Sequence, residues 1–248
     1  MTPPSPKIYS DHAAWYHLLT APEDYAEESA FYMGLIREAS PTPPRTLLEL
    51  GSGGGNMASH YIKEVTPTLS DISPQMIALS RTILPDVEHH VGDMRTLRLG
   101  RTFDAVFIHD AIVYMLREDD LRQAMRTAWA HLKPGGVAVF APDYTLENFR
   151  AGTEHGGHDG EGRGLRYLEW CHPLQNGADH CVVDYVLVFH EDGQPPRVDV
   201  DRHIEGLFSR DVWLRLLAET GFRAYPRPLE HSEVEPDSHE VFVAIRPD

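Results

Sequence analysis

The sequence predicts an α/β protein built on a doubly wound, mostly parallel seven-stranded sheet with an inserted antiparallel β meander. Three observations carry this. Between residues 46 and 141 short apolar runs alternate with helical stretches of 10–15 residues, the pattern of a parallel sheet covered by helices on both faces. The first of these runs enters a Gly-rich turn at 51–55 and then a helical stretch, the strand-turn-helix grammar of a ligand-binding α/β crevice. Beyond residue 143 the pattern changes to three strand-like runs joined by tight-turn residues.

The elements follow in order. Residues 1–8 are Pro-rich and read as a frayed start. Tyr9, Trp15, Tyr16 and Leu19 fall at near-helical spacing after Ser10 or Asp11 as N-cap, predicting a short amphipathic helix over 9–19. Asp24–Ala39 reads as a second helix, acidic at its start and ended by Pro41, Pro43 and Pro44. Strands are expected at Thr46–Leu50, Thr68–Ser70, Val87–Val91, Phe103–Ile108 and Val137–Ala141. Helices are expected at Asn56–Glu64, from Ser73-Pro74 to Leu84, and at Glu118–Leu132, the last separated from its strand by a Pro134-Gly135-Gly136 turn.

Residues 151–164, rich in Gly, read as a mobile loop able to close over a substrate. Leu165–Cys171, Cys181–Phe189 and Arg197–Leu207 then form the meander, with Asn176-Gly177 as a two-residue hairpin turn and Glu191-Asp192-Gly193 as the next turn. A helix at Ser209–Thr220 closes on Gly221, and strands near Phe222–Tyr225 and Val241–Ile245 complete the sheet. The expected organisation is a helical cover at 1–40, a cofactor-binding body at 41–142 and 208–248, and an inserted acceptor-binding region at 143–207.

Composition narrows the function. The 248 residues hold 22 Lys and Arg against 38 Asp and Glu, a formal charge of -16, which opposes the phosphate neutralisation that nucleic-acid binding depends on. No apolar run approaches the roughly 18 residues that span a bilayer, and MTPPSPKIYS lacks a signal-peptide core. A soluble, cytoplasmic protein without membrane or nucleic-acid partner is expected. Two cysteines, Cys171 and Cys181, fit a reducing compartment.

The chemistry-bearing motif is Glu49-Leu50-Gly51-Ser52-Gly53-Gly54-Gly55. Glycines allow a sharp turn and a close backbone approach to a ligand. Asp71 stands at the end of the second strand, where a carboxylate can take both hydroxyls of a ribose; a helix-cap role for it is redundant, because Ser73 supplies the cap. Gly92-Asp93-Met94 after the third strand offers an acceptor for an exocyclic amine and an apolar side chain for a base, and Leu132-Lys133-Pro134-Gly135-Gly136 precedes the fifth strand.

The ordered set ELGSGGG, DIS, GDM, FDAVFIHD and LKPGG resembles the class I S-adenosylmethionine-dependent methyltransferases, closely over 46–142 and more loosely over 205–245. GDMRTLRLGRTFDAVF and the inserted meander further resemble the small-molecule N-methyltransferases that dimethylate amino sugars. The resemblance implies a Rossmann-like methyltransferase fold and S-adenosylmethionine as cofactor, with S-adenosylhomocysteine as product. It places Glu49 beneath the loop, Gly51, Ser52 and Gly53 around the amino-acid part of the cofactor, and Asp71 on the ribose. Ile72 and Met76 lie near adenine or ribose, Asp93 accepts from the adenine amine, Met94 presents its backbone N–H to the ring, and His109 touches the methionine part. Tyr16 resembles a tyrosine that covers the cofactor; packing among helical aromatics is an equal reading for it. Ser52 departs from the Cys or other small residue of many members.

Methyl transfer from a sulfonium is an in-line displacement, so alignment dominates and a base is needed only for a protonated nucleophile. Catalytic candidates are His109, Asp110 and Tyr114 after the fourth strand; for Asp110, scaffolding of the cofactor loop is the alternative reading. Asp143 and Tyr144 after the fifth strand are candidates for binding the acceptor. The expected function is methyl transfer to a small-molecule amine. O-methylation of a hydroxyl, phenol or carboxylate and a non-catalytic cofactor-binding module are the alternatives; a nicotinamide enzyme would leave GDM and LKPGG unexplained. Counting outward from the two-residue turn pairs His172 with Cys181, which does not gather Cys171, His172, His180 and Cys181 on one face, so no metal is expected there or at His155-Gly-Gly-His158. An exposed edge of the meander suggests a homodimer.

Overall fold

The computed structural model describes residues 6–175, 177–236 and 238–248. Its main sheet holds β1 (Thr46–Leu50), β2 (Thr66–Asp71), β3 (Glu88–Val91), β4 (Phe103–His109), β5 (Leu132–Ala141), β11 (Arg223–Pro228) and β12 (Glu240–Ile245), in the order β11-β12-β5-β4-β1-β2-β3. β1 to β5 run parallel, and β12 is antiparallel to both β5 and β11. The strand order reverses between β1 and β4, and the crevice beyond their carboxyl ends is the ligand site expected of such a sheet.

Leu47, Leu48 and Leu50 in β1 are wholly buried because the strand lies at the sheet's centre with a core on each face. Leu48, Val106, Ile108 and Phe140 join one core, and Leu47, Ala105, Phe107 and Val139 join the other, the alternation that strand geometry imposes. The first core is covered by α5 (Glu118–His131) and α6 (Arg210–Thr220), the second by α2 (Ala26–Ala39) and α3 (Ala58–Tyr61). Ser73 caps α4 (Pro74–Ile83) and Ser209 caps α6, each by accepting a backbone N–H, while Gly221 ends α6 at φ 112°.

The second sheet is antiparallel, in the order β10-β9-β8-β6, with β7 also paired to β8. It comprises β6 (Gly152–Gly156), β7 (Asp159–Gly160), β8 (Arg163–Cys171), β9 (His180–Glu191) and β10 (Arg197–Gly206). The expected mobile loop at 151–164 is therefore corrected: much of it is strand. Pairing with the free edge of β8 organises its backbone, and Gly157, at φ 114°, lies where a Cβ would come within 2.2 Å of the Leu165 carbonyl oxygen.

Four other expectations need adjustment. The helix over 9–19 is instead a pair of 3₁₀ turns, Lys7–Tyr9 and Ala13–Trp15, followed by α1 (Tyr16–Leu19). Its first N–H groups, those of Lys7 and Ile8, go to the carboxylate of Asp201, which anchors the segment to β10. The helix expected from Asn56 to Glu64 shortens to α3. Pro134-Gly135-Gly136 lies inside β5 as a bulge: Leu132 faces Phe103 and Val137 faces Ala105, leaving residues 133–136 opposite Asp104. Finally, Cys171 faces Val183 and the His172 N–H reaches the Val182 carbonyl, so His172 does not face Cys181. Pro173 has no N–H to continue the ladder, so the connection is longer than a two-residue turn. Asn176 of the expected hairpin turn and residues 1–5 of the frayed start lie outside the described residues.

The N-terminal segment packs between the two sheets. Ile8, Trp15 and Leu18 join Leu165, Leu187 and Phe189 in a core of their own. No helix among the described residues is long and apolar enough to cross a membrane.

Candidate active site

The glycine turn follows β1. Gly51, Gly53 and Gly55 have φ of 78°, 53° and 82°. The N–H groups of Gly51 and Ser52 donate to the Ser70 carbonyl at 2.7 and 2.9 Å, folding the turn against β2. At Gly51 a Cβ would lie 2.3 Å from that of Ala111, so the chains after β1 and β4 meet without room for a side chain. Ser52 Oγ and Asn56 Oδ1 are buried without a hydrogen-bond partner among the described residues. Such orphaned atoms beside a glycine turn are suited to a ligand.

Asp71 Oδ2 accepts the Gly53 N–H at 2.9 Å and Oδ1 accepts the Ser73 N–H at 2.8 Å; burial raises its pKa. Beside it Ile72 is 62 % exposed, an apolar side chain standing free at the crevice edge. Met76 is fully buried behind the turn, with its methyl 3.8 Å from the Cβ position of Gly53. Both oxygens of Asp93 accept the Arg95 Nε at 3.0 Å, and Met94 packs in the core beneath Gly51. The Tyr16 hydroxyl lies 3.5 Å from the Gly53 Cβ position, and His17 Nε2 is 3.0 Å from the Gly54 carbonyl oxygen, so α1 lies across the turn. Glu49 sits beneath it, takes the Tyr61 hydroxyl as donor, and is pushed up to about 7 by burial.

On the other wall, Asp110 ends β4 with φ 28°, the sole positive φ outside glycine among the described residues. Backbone bonds from Asp110 to Ala141 and from Val113 to Asp110 hold this conformation. The Asp110 side chain is 47 % exposed, and desolvation by the surrounding protein, then Glu28, raise its pKa to about 7. Asp143, after β5, is raised by burial and by the neighbouring Asp110 carboxyl. His109 Nε2 lies 3.3 Å from Glu28 and 3.0 Å from Asp110. Burial opposes its charged form, yet the Glu28 hydrogen bond and charge outweigh that and raise its pKa.

Tyr114 meets the inserted sheet, its hydroxyl 3.1 Å from that of Tyr9 and 2.9 Å from His203 Nδ1. Tyr144 borders a cavity of about 140 Å³ with Arg150, Gly152, Glu154, Glu169 and Cys171. A hollow of about 560 Å³ lies instead between His172, Leu174, Gln175, Asp179, His180 and Arg202.

Known proteins place this arrangement. A family model described as a methyltransferase domain matches residues 47–136. The chain is 30 % identical over 241 residues to dTDP-3-amino-3,4,6-trideoxy-alpha-D-glucopyranose N,N-dimethyltransferase of Streptomyces venezuelae, covering 95 % of this chain and 98 % of that protein. It is 31 % identical over 251 residues to dTDP-4-amino-2,3,4,6-tetradeoxy-D-glucose N,N-dimethyltransferase of Saccharopolyspora spinosa, covering 96 % and 94 %. The chain is a class I S-adenosylmethionine-dependent methyltransferase of the amino-sugar type. The crystal structure of Streptomyces venezuelae DesVI superposes on this methyltransferase with a TM-score of 0.83 at 28 % identity, covering 96 % of this chain and 99 % of that one. The sugar N-methyltransferase KedS8 from Streptoalloteichus gives 0.80 at 26 % identity, covering 96 % and 93 %.

Sequence reasoning missed part of the methyltransferase's interior. Tyr9, Glu28, Glu169, Asp201, His203 and Glu205 all face the crevice or the groups around it. A signal for three of them was present. Asp201, His203 and Glu205 recur at every second position of β10, which puts polar residues on the face that packs inward. Among the described residues no group of three or more His, Cys, Asp or Glu is arranged to hold a metal ion. His158 pairs with Asp24 at 3.0 Å and His172 with Asp184 at 2.9 Å.

Proposed function

We propose that this methyltransferase transfers methyl groups to the nitrogen of a small amino sugar, which reacts in the crevice between the glycine turn and the inserted sheet. The cofactor supplies an electrophilic methyl group on a sulfonium. Gly51, Ser52 and Gly53 hold its amino-acid part over Glu49, and Asp71 takes the ribose hydroxyls with Ile72 against the base. The backbone of Asp93-Met94 lines the adenine side, Met76 supports the turn from behind, and Tyr16 covers it. Residues 1–40 act as the cover, 41–142 and 208–248 as the cofactor side, and 143–207 as the acceptor side.

The observation that carries this reading is the acidic wall at the carboxyl ends of β4 and β5, where Asp110 and Glu28 lie 3.0 and 3.3 Å from His109 Nε2 and Asp143 follows β5. Glu169 and Tyr144 line the cavity nearby. Carboxyl groups gathered on one wall favour a cation beside them, and an amine arrives as one. Asp143 and Tyr144 orient the acceptor, Asp110 faces its ammonium, and His109 is held by Glu28 as part of the methionine side. Alignment of nucleophile and methyl group then supplies the larger share of catalysis, about 7–11 kcal/mol in well-oriented systems. Purified protein with S-adenosylmethionine should add one and then two methyl groups to an amino sugar, free or nucleotide-linked, as read by mass spectrometry. Methylation of phenols or carboxylates alone would refute the assignment.

We also infer a homodimer through the outer face of the inserted sheet, where Leu168, Trp170, Val198 and Val200 are exposed. The charges beside them are already neutralised within one chain, Arg202 by Asp184, so two copies can meet without like-charge repulsion. The two free, buried cysteines suit a reducing cytoplasm, and the net charge of -16 argues against a nucleic-acid partner.

A further inference from the structure

We propose that the cavity of about 140 Å³ beside Tyr144 holds a second ammonium group of the acceptor between Glu154 and Glu169. The preferred substrate is then a sugar with two basic nitrogens; this rests on the amine reading above.

Glu154 of β6 and Glu169 of β8 are direct partners across their antiparallel ladder. Partners of this kind project to the same face with Cβ atoms about 4.5–5.5 Å apart, and like charges so placed destabilise a sheet. Both side chains line the cavity, and among the described residues neither has an ion-pair partner. Burial raises the Glu169 pKa and the Glu154 charge adds to this, against the opposing effect of Tyr185, its partner on β9. The sheet thus holds two acids together without a counter-ion of its own.

The basic groups nearby are engaged elsewhere. Arg150 lines the same cavity, but its Nη1 donates to the carbonyl oxygens of Phe149 at 2.7 Å and Glu147 at 3.4 Å. His239, whose ring centroid lies 5.0 Å from that of Tyr144, has its pKa lowered by burial and so favours its neutral form. A metal ion is a poor occupant, because among the described residues no group of three or more His, Cys, Asp or Glu is arranged to hold one. An ammonium suits the cavity better. It offers N–H donors to both carboxylates and neutralises charge, and the Tyr144 ring, met edge-on by Phe149 at 5.6 Å, supplies an aromatic surface for a cation. A neutral hydroxyl meets the same oxygens but leaves both charges in place.

Tyr144 follows Asp143, which orients the acceptor in the crevice. A trans peptide separates their Cα atoms by about 3.8 Å, so one ring-sized ligand spans both residues. The methyl-accepting nitrogen then faces Asp110 and Asp143, and the second nitrogen enters the cavity.

The test uses calorimetry on the S-adenosylhomocysteine-bound protein at pH 7. The probes are methyl glucosides with an amine at C3 and a second at C2, C4 or C6, each compared with the glucoside that has the C3 amine alone. Wild type should bind at least one diamine about 10–100-fold more tightly than the monoamine, the range of a hydrogen-bonded charge. Glu154→Gln and Glu169→Gln should each cut that preference about 10-fold, with the thermal shift given by S-adenosylhomocysteine reporting that each variant is folded. In the ligand-free protein either substitution should also raise the melting temperature by about 1–4 °C, because it relieves the like-charge opposition, and adding the second should change little more. Equal affinity for every diamine and the monoamine, or a preference that survives both substitutions, overturns the subsite and leaves the amine reading intact. A melting temperature that rises in neither single variant shows that the protein already neutralises the pair, and overturns the subsite as well. Wild-type enzyme that methylates neither monoamines nor diamines overturns the amine reading and the subsite together.

Discussion

Asp71 binds the Gly53 N–H with one oxygen and the Ser73 N–H with the other, and so ties the glycine turn to the start of α4. Each oxygen keeps lone pairs for the paired hydroxyls of a ribose. Asp71→Ala should weaken S-adenosylhomocysteine about 10–100-fold in calorimetry, as expected for hydrogen bonds to a charged group of about 1.5–3 kcal/mol. Asp71→Asn should lose less, because it preserves an acceptor oxygen. Equal affinity in all three proteins would remove Asp71 from the cofactor site.

Gly51→Ala meets two separate obstacles, a φ of 78° and a Cβ 2.3 Å from that of Ala111. It should destabilise the protein by about 2–4 kcal/mol and abolish the thermal shift given by the cofactor product. Adding Ala111→Gly relieves the contact but not the backbone strain. The pair should therefore recover part of the loss, a departure from additivity that chemical denaturation would detect.

The acidic interior gives stability a definite pH dependence. Glu49 and Glu205 are pushed up to about 7 and about 8 by burial. Their folded pKa values exceed those of the unfolded chain, so their contribution is full below the unfolded values and is lost as pH rises through the folded ones. The melting temperature of the ligand-free protein should fall between pH 5 and 9 by about 4–8 °C, equivalent to about 2 kcal/mol in a chain of this size. Cationic cofactor should reverse much of the decline. A melting temperature that rises over this range would show that these carboxyl groups are not buried as described.

Trp170 and Val198 are 52 % and 60 % exposed on the outer face of the inserted sheet. Light scattering should report two chains per particle. Trp170→Glu with Val198→Lys should give one chain per particle while leaving affinity for S-adenosylhomocysteine unchanged. A wild-type monomer would dismiss the dimer.

Wherever a residue's neighbours are close in sequence, the site was legible from the chain. Thr46–Leu50 running into Gly51–Gly55 showed strand and turn together, and Ser73-Pro74 and Gly221 marked helix ends that depend on local capping. Distant partners were not legible. Gly152–Gly156 reads as loop because its residue types are poor strand formers, yet the open edge of β8 pairs it. Trp15 and Tyr16 suggested one longer helix, but bonds from Lys7 and Ile8 to Asp201 direct the chain into short turns instead. His203 could not be placed from its own surroundings. Its ring meets Tyr114, 89 positions earlier in the chain.

The bonds from Lys7 and Ile8 to Asp201 span 194 and 193 positions. A ribosome adding about 5–20 residues per second releases Asp201 roughly 10–40 s after the segment it secures. For most of that interval Ile8, Trp15 and Leu18 lack the Leu165, Leu187 and Phe189 side chains they will pack against. A segment made long before its partners is thus among the last to find its place, and a nascent chain stalled before residue 165 exposes a sticky apolar segment suited to a chaperone.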